Sequence, residues 1–216
     1  MTFATRSTQS CRGRLLPVHR KREERELMPQ RYWNRFIDND TGEWKDPKKL
    51  PPGEDLAALR AGLGRDVLTV PKMWPFYTSP VDDELARIGE ASARQRAEHA
   101  ALALYGLHQQ SQRIPMHRKN IGLGTALLAL RRHDNASTQA VDRRVAALAT
   151  ATSVPALLMR MRGLVGQLRD IRQPLDYDRL LTDLAVWPWP DGRQRVRRSW
   201  AQGYQLWEQP STSDAP

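Results

Sequence analysis

Residues 98–124 read EHAALALYGLHQQSQRIPMHRKNIGLG, and the choice between helix and strand for the whole chain turns on them. Ala97, Ala101, Leu104, Tyr105 and His108 recur at spacings of three and four, the period of a helix with one apolar face. Pro115 stops that helix, because proline lacks an N–H and clashes with the preceding turn. QSQRIPMHRKN then reads as a basic loop, and GLGTALLALRR (122–132) as a short apolar helix that Gly122 and Gly124 lead into. Its closing Arg131 and Arg132 suit the negative end of the helix dipole.

The same stretch carries three of the five histidines, His99, His108 and His117, each nine residues from the next. Nine helical residues turn through about 900°, a net half turn, so His99 and His108 face opposite ways and share no metal. His117 lies beyond Pro115, and no HExxH or cysteine is close to it. A core histidine with a hydrogen-bond partner is the expected role of His108. The Gly-x-Gly lacks the Lys-Ser/Thr of a phosphate loop and follows no strand.

Working outward, the remaining segments are helical too. Upstream, QRYWNRFI (30–37) makes a short helix with Trp33, Phe36 and Ile37 inward, and 38–53 is a loop. GEDLAALRAGLG is a short helix that Gly62 or Gly64 ends, and VPKMWPFY (70–77) holds too many prolines for a helix or a central strand. Trp74, Phe76 and Tyr77 are expected as a core plug. From Pro80 to about Ser111 the pattern is helical, with an interruption at Gly89. Downstream, Ser137, Ser153 and Asp176 are N-caps of three successive helices. A last helix over 190–207 places Val196, Trp200, Tyr204 and Trp207 on one stripe. No alternating strand pattern occurs, so the expected class is all-α, a bundle of about seven to nine helices.

Composition narrows the function. The chain has 216 residues, a net charge of +10 and a pI near 10.3, which points to a polyanionic partner. No apolar run approaches the roughly 20 residues that span a bilayer, so no membrane association is expected. Cys11, the only cysteine, makes neither an internal disulfide nor a cysteine zinc site, and a reducing cytoplasmic setting follows. Residues 1–28 carry +4 and are expected as a disordered tail or an overlong gene start, with Met28 as an alternative first residue. Removing them leaves +6, so the basic character survives. The stretch 208–216 is expected as a disordered tail.

The charge is polarised. Residues 29–93 have a net charge of -2, whereas 113–144 have +5. Arg113, Arg118, Lys119, Arg131, Arg132, Arg143 and Arg144 supply the excess, opposed by Asp134 and Asp142. Arg162 and Arg169 share a face away from the leucines of their helix, and Arg193, Arg195, Arg197 and Arg198 flank the final aromatic stripe. Forked donors without a base-reading motif suit phosphate-backbone binding. Asp176, Asp178 and Asp183 invite a metal-nuclease reading, but an N-cap, a first-turn acid and a carboxylate beyond the neighbouring turn are better explained structurally. No nucleophile motif, cofactor fingerprint or metal set is present in the sequence.

EHAALALYGLHQQS, MHRKNIGLGTALLAL, AVDRRVAALATATSVPALLMRMRGLVGQLR, PLDYDRLLTDLAVW and VPKMWPFY together resemble the CasB family. That family is the small subunit of the type I-E CRISPR effector complex, Cascade. The resemblance covers about 30–207 and implies two small helical lobes, here 29–136 and 137–207. It also implies a protein that is not an enzyme and carries no cofactor. Its implied partners are the guide RNA, the target and displaced DNA strands, CasC backbone subunits, the CasA large subunit and a second copy of itself. Sequence-independent backbone contacts would stabilise the guide RNA–target DNA R-loop in antiviral defence. Carried onto this chain, the contacts fall on Arg60, Arg143, Arg144, Arg162, Arg197 and Arg198, with Arg118 and Lys119 in a loop that varies among relatives. Arg131, Arg132 and Arg169 complete the candidate set from the charge pattern. The competing reading is a stand-alone basic helical DNA-binding protein, which would need a recognition helix that the sequence does not show.

Overall fold

The computed structural model describes residues 30–134 and 136–205. The readings made for 1–28, 208–216 and Trp207 lie outside them. Among the described residues there are eight α-helices and two 3-10 turns, with no strand beyond the isolated bridges Ile37–Trp44 and His117–Leu175. The all-α class is therefore correct.

We label the helices α1 (Gly53–Arg60), α2 (Asp83–Arg87), α3 (Ala93–Gln109), α4 (Leu123–Arg131), α5 (Thr138–Ala149), α6 (Val154–Asp170), α7 (Tyr177–Val186) and α8 (Pro190–Tyr204). The 3-10 turns are Trp33–Arg35 and Pro71–Phe76. Caps follow local chemistry. The side chains of Ser137, Ser153 and Asp176 accept from Ala140, Ala156 and Arg179 N–H, each three residues on. Ser92 and Gln95 close a full capping box on α3. Gly89, at φ +73°, makes the break that separates α2 from α3.

Helix α3 is the axis of the core. It packs on α1, α6 and α7, so its buried side chains face inward nearly all round. That burial explains why a single apolar stripe understates it: Glu98, His99 and Gln109 are enclosed as well. Each has partners. Glu98 accepts from Arg31 at 2.7 Å, from Thr78 N–H at 2.9 Å and from Ser79 N–H at 2.8 Å, which ties the chain entry and the Pro-aromatic segment to α3. One hydrophobic core runs from Tyr32 to Trp200, and helices on both sides of residue 136 contribute to it.

Two glycines set how closely helices cross. A Cβ on Gly106 of α3 would lie 2.7 Å from Leu59 Cβ and 3.0 Å from Leu56 O of α1. A Cβ on Gly124 of α4 would lie 2.1 Å from Trp200 O of α8. Gly124 therefore does more than ease entry into its helix, because it lets two backbones touch.

The Pro-aromatic segment departs from expectation. Met73 and Phe76 are buried, and Tyr77 is half-buried, but Trp74 is 55% exposed. Its indole N–H donates to Leu68 O at 3.1 Å, which fixes the ring along the surface rather than in the core. No described helix is long and apolar enough to cross a membrane.

Candidate nucleic-acid interface

Helices α5 and α6 pack side by side, and the apolar periodicity of each decides where its arginines go. In α5, Val141 and Leu148 are buried and Val145 is half-buried, so Arg143 and Arg144 fall on the outer face and are exposed. In α6, Leu157, Met161, Leu164, Val165 and Leu168 face the core, and Arg162 stands exposed opposite them. Arg132 is exposed after α4, and Arg198 is exposed on α8. None of Arg132, Arg143, Arg144, Arg162 and Arg198 makes a carboxylate ion pair among the described residues. Arg60, Arg118 and Lys119 of the candidate set make none either.

The other predicted residues are placed differently. Arg118 and Lys119 are exposed in the loop before α4, where the Arg118 stem lies against Gly42. Arg60 is half-buried in the last turn of α1. Arg131 Nε donates to Asp142 Oδ1 at 2.9 Å, and Asp142 also accepts from the Tyr204 hydroxyl. These two bonds, the tyrosine's first, hold the Asp142 carboxyl below its ordinary pKa. Arg169 pairs with its neighbour Asp170 at 3.1 Å. Arg197 Nη2 donates to Ala151 O at 2.8 Å, and its guanidinium lies 5.5 Å over the Trp187 ring.

Three arginines outside the candidate set also matter. Arg160 donates to Ala147 O, and Arg193 Nη1 donates to Thr152 O at 2.9 Å, so with Arg197 they converge on the end of α5. Arg179 Nη2 reaches Ser199 Oγ at 2.5 Å and lines an open cleft of about 250 Å³ with Gly122, Thr125 and Gln202. Sequence spacing carries no signal for these meetings, because each joins different helices.

The carboxylates and histidines have structural work. Asp176 accepts from Arg179 N–H at 3.0 Å and Asn120 N–H at 2.9 Å. Asp178 accepts from Trp33 Nε1 at 3.0 Å and Asn34 Nδ2 at 3.1 Å, and Asp183 accepts from Trp200 Nε1 at 2.7 Å. His99 Nδ1 accepts from the Tyr77 hydroxyl at 2.7 Å, while Nε2 donates to Gly62 O and Arg65 O at 3.1 Å. The two carbonyls place a proton on Nε2, and burial favours the neutral ring, whose Nδ1 then accepts from Tyr77. His117 Nδ1 accepts the Tyr177 N–H at 3.1 Å, and His108 lies 3.0 Å from the Tyr177 hydroxyl. Burial lowers the pKa of all three histidines, that of His108 to about 3. No cluster of three metal-ligating side chains occurs among the described residues.

Residues 55–204 match the family described as CRISPR-associated protein Cse2. CasB from Thermobifida fusca is 30% identical, with a TM-score of 0.55 over 70% of this chain and 84% of that one. CasB from Thermus thermophilus is 26% identical, with a TM-score of 0.51 over 70% and 84%. A chain of a CRISPR RNA-guided surveillance complex is 25% identical, with a TM-score of 0.52 over 71% and 82%. None of the curated proteins compared matches the chain. The family match spans the helices that carry both the core and the outward arginines, and the chain belongs to the CRISPR-associated Cse2, or CasB, family.

Proposed function

We propose that the protein is a non-catalytic subunit of the type I-E Cascade complex that binds nucleic acid through its backbone. The observation that carries the reading is the unpaired arginine row on α5 and α6, Arg143, Arg144 and Arg162. A cation without a carboxylate partner contributes little to folding, so the row is explained by an external polyanion. Likeness to a chain of an RNA-guided surveillance complex supports the assignment to such an assembly. In this reading the protein works in the cytoplasm beside CasC subunits, CasA and a second copy of itself. It steadies the guide RNA–target DNA R-loop and the displaced strand without reading bases. Arg60, Arg118, Lys119, Arg132 and Arg198 extend the contact surface. Arg131, Arg169 and Arg197 contribute with their spare donors, since each also serves a partner within the chain.

The test is charge reversal. Arg143→Glu, Arg144→Glu and Arg162→Glu, combined, leave helicity and melting unchanged and shorten R-loop lifetime in a reconstituted complex. A full lifetime with the triple variant would remove this surface from the reading.

A further inference from the structure

The last turn of α5 and the link that follows it gather three arginines. Arg160 from α6 donates to Ala147 O, Arg197 from α8 donates to Ala151 O, and Arg193 from α8 donates to Thr152 O. A helix C-terminus presents about half a unit of negative charge, and the carbonyls of Ala151 and Thr152, in the link beyond α5, are neutral, so three guanidiniums leave most of their charge uncompensated. No carboxylate pairs with any of the three among the described residues. Each guanidinium has five N–H donors, and these bonds engage only one or two of them. All three arginines remain partly open to solvent.

Beside this cluster stands an aromatic ring that the core does not use. Trp189 is 56% exposed, although Trp187, two residues earlier, is fully buried and stacks on Trp200 at 5.2 Å. The mount of Trp189 is rigid. Pro188 and Pro190 flank it, its N–H donates to Val186 O at 3.3 Å, and its own carbonyl accepts from Arg193 N–H at 2.9 Å. Arg193 links the Trp189 backbone to the cluster, since its N–H bonds the Trp189 carbonyl and its guanidinium reaches Thr152 O at 2.9 Å and Trp187 O at 3.4 Å. Asp191, in the first turn of α8, is the one acid on that helix.

We propose that Trp189 with Arg160, Arg193 and Arg197 is a subsite for single-stranded nucleic acid, in which the arginines hold phosphates and the indole stacks on an unpaired base. The inference rests on the nucleic-acid reading above and names the form of the ligand at one place. Charge selects the occupant. A polyanion relieves the uncompensated cations, and an exposed indole on a held backbone offers every base a stacking surface without sequence preference. A duplex keeps its bases inside and gains only the phosphate part.

The test uses the full chain with a fluorescent oligothymidylate, the same strand made abasic, and a duplex of equal length. Trp189→Ala lowers affinity for oligothymidylate about ten-fold, the low-to-middle range of one stacked base. It leaves the abasic strand and the duplex unchanged, so wild type and variant bind the abasic strand alike. Arg160→Gln, which removes the charge and keeps a donor, reduces the single-strand salt slope by about 0.7. Equal oligothymidylate affinity for wild type and Trp189→Ala overturns the subsite while leaving the wider reading intact. Wild-type protein that binds none of the three probes overturns both. If Trp189→Ala binds oligothymidylate normally but fails to join the assembled complex, the ring docks on protein and the subsite is wrong.

Discussion

The Trp33 indole donates to Asp178 at 3.0 Å across 145 residues of chain, and this bond fastens the entry of the fold to α7. The same carboxylate takes the amide of Asn34 at 3.1 Å. Asp178→Ala strands two enclosed donors, each costing about 1–3 kcal/mol when left unmet. A loss of roughly 2–4 kcal/mol is expected in urea denaturation, with an unchanged m-value. A loss below 0.5 kcal/mol would show that water replaces the carboxylate freely.

Two glycines predict opposite signs. Gly124→Ala pushes a methyl against Trp200 O and forces α4 from α8, at a cost of about 1–3 kcal/mol or more. Gly163, exposed in the middle of α6, has nothing within 4 Å of its would-be Cβ. Gly163→Ala therefore stabilises by about 0.5–1 kcal/mol through helix propensity. Thermal melts of the two variants should move in opposite directions.

The three buried histidines make acid sensitivity begin early. Each has a folded pKa below 6.5, so below that pH the unfolded chain takes up protons that the folded chain refuses. Stability is intact above 6.5 and falls as pH drops, by up to about 1.4 kcal/mol per pH unit for each histidine until its folded pKa is reached. The urea midpoint should decline between pH 7 and 5, ahead of most carboxylate titration. The imidazole NMR signals of His108 should remain those of the neutral ring at pH 5.5. Protonation of His108 at that pH, in folded protein, contradicts the packing.

Arginines with and without internal partners should separate in paired measurements. Arg197→Gln loses the Ala151 carbonyl bond and the Trp187 contact, and is expected to cost about 1–2 kcal/mol of stability. Arg143→Gln and Arg144→Gln touch nothing in the fold and should stay within about 0.5 kcal/mol of wild type. Each of the latter should reduce the single-strand salt slope by about 0.7. Equal stability loss across the three would mean that Arg143 and Arg144 have internal roles.

Much of the helical outline was legible because caps and periodicity are local. Ser137, Ser153 and Asp176 cap the helices that their side-chain oxygens announce, and Gly89 breaks the chain where left-handed backbone is needed. Helical rotation alone puts His99 and His108 on opposite faces, and they meet different partners, Tyr77 and Tyr177. Trp74 was misread because aromatic content does not say whether a ring finds a cavity, and here the Leu68 carbonyl holds it outside. The outward placement of Arg143, Arg144 and Arg162 could be read from the apolar stripes of α5 and α6.

By itself the sequence determined the all-α class, the helix starts at Ser137, Ser153 and Asp176 and the faces that exclude charge, because each depends on residues three or four apart. Tertiary structure decided which arginines also serve the fold. Arg131 meets Asp142, while Arg160, Arg193 and Arg197 meet carbonyls in the last turn of α5 and the link after it. Those meetings join residues 11 to 46 positions apart, across helices whose relative placement is set by core packing and by glycine contacts such as Gly124 against Trp200. No local pattern encodes that placement, so charge counting alone could not show which cations also hold the fold.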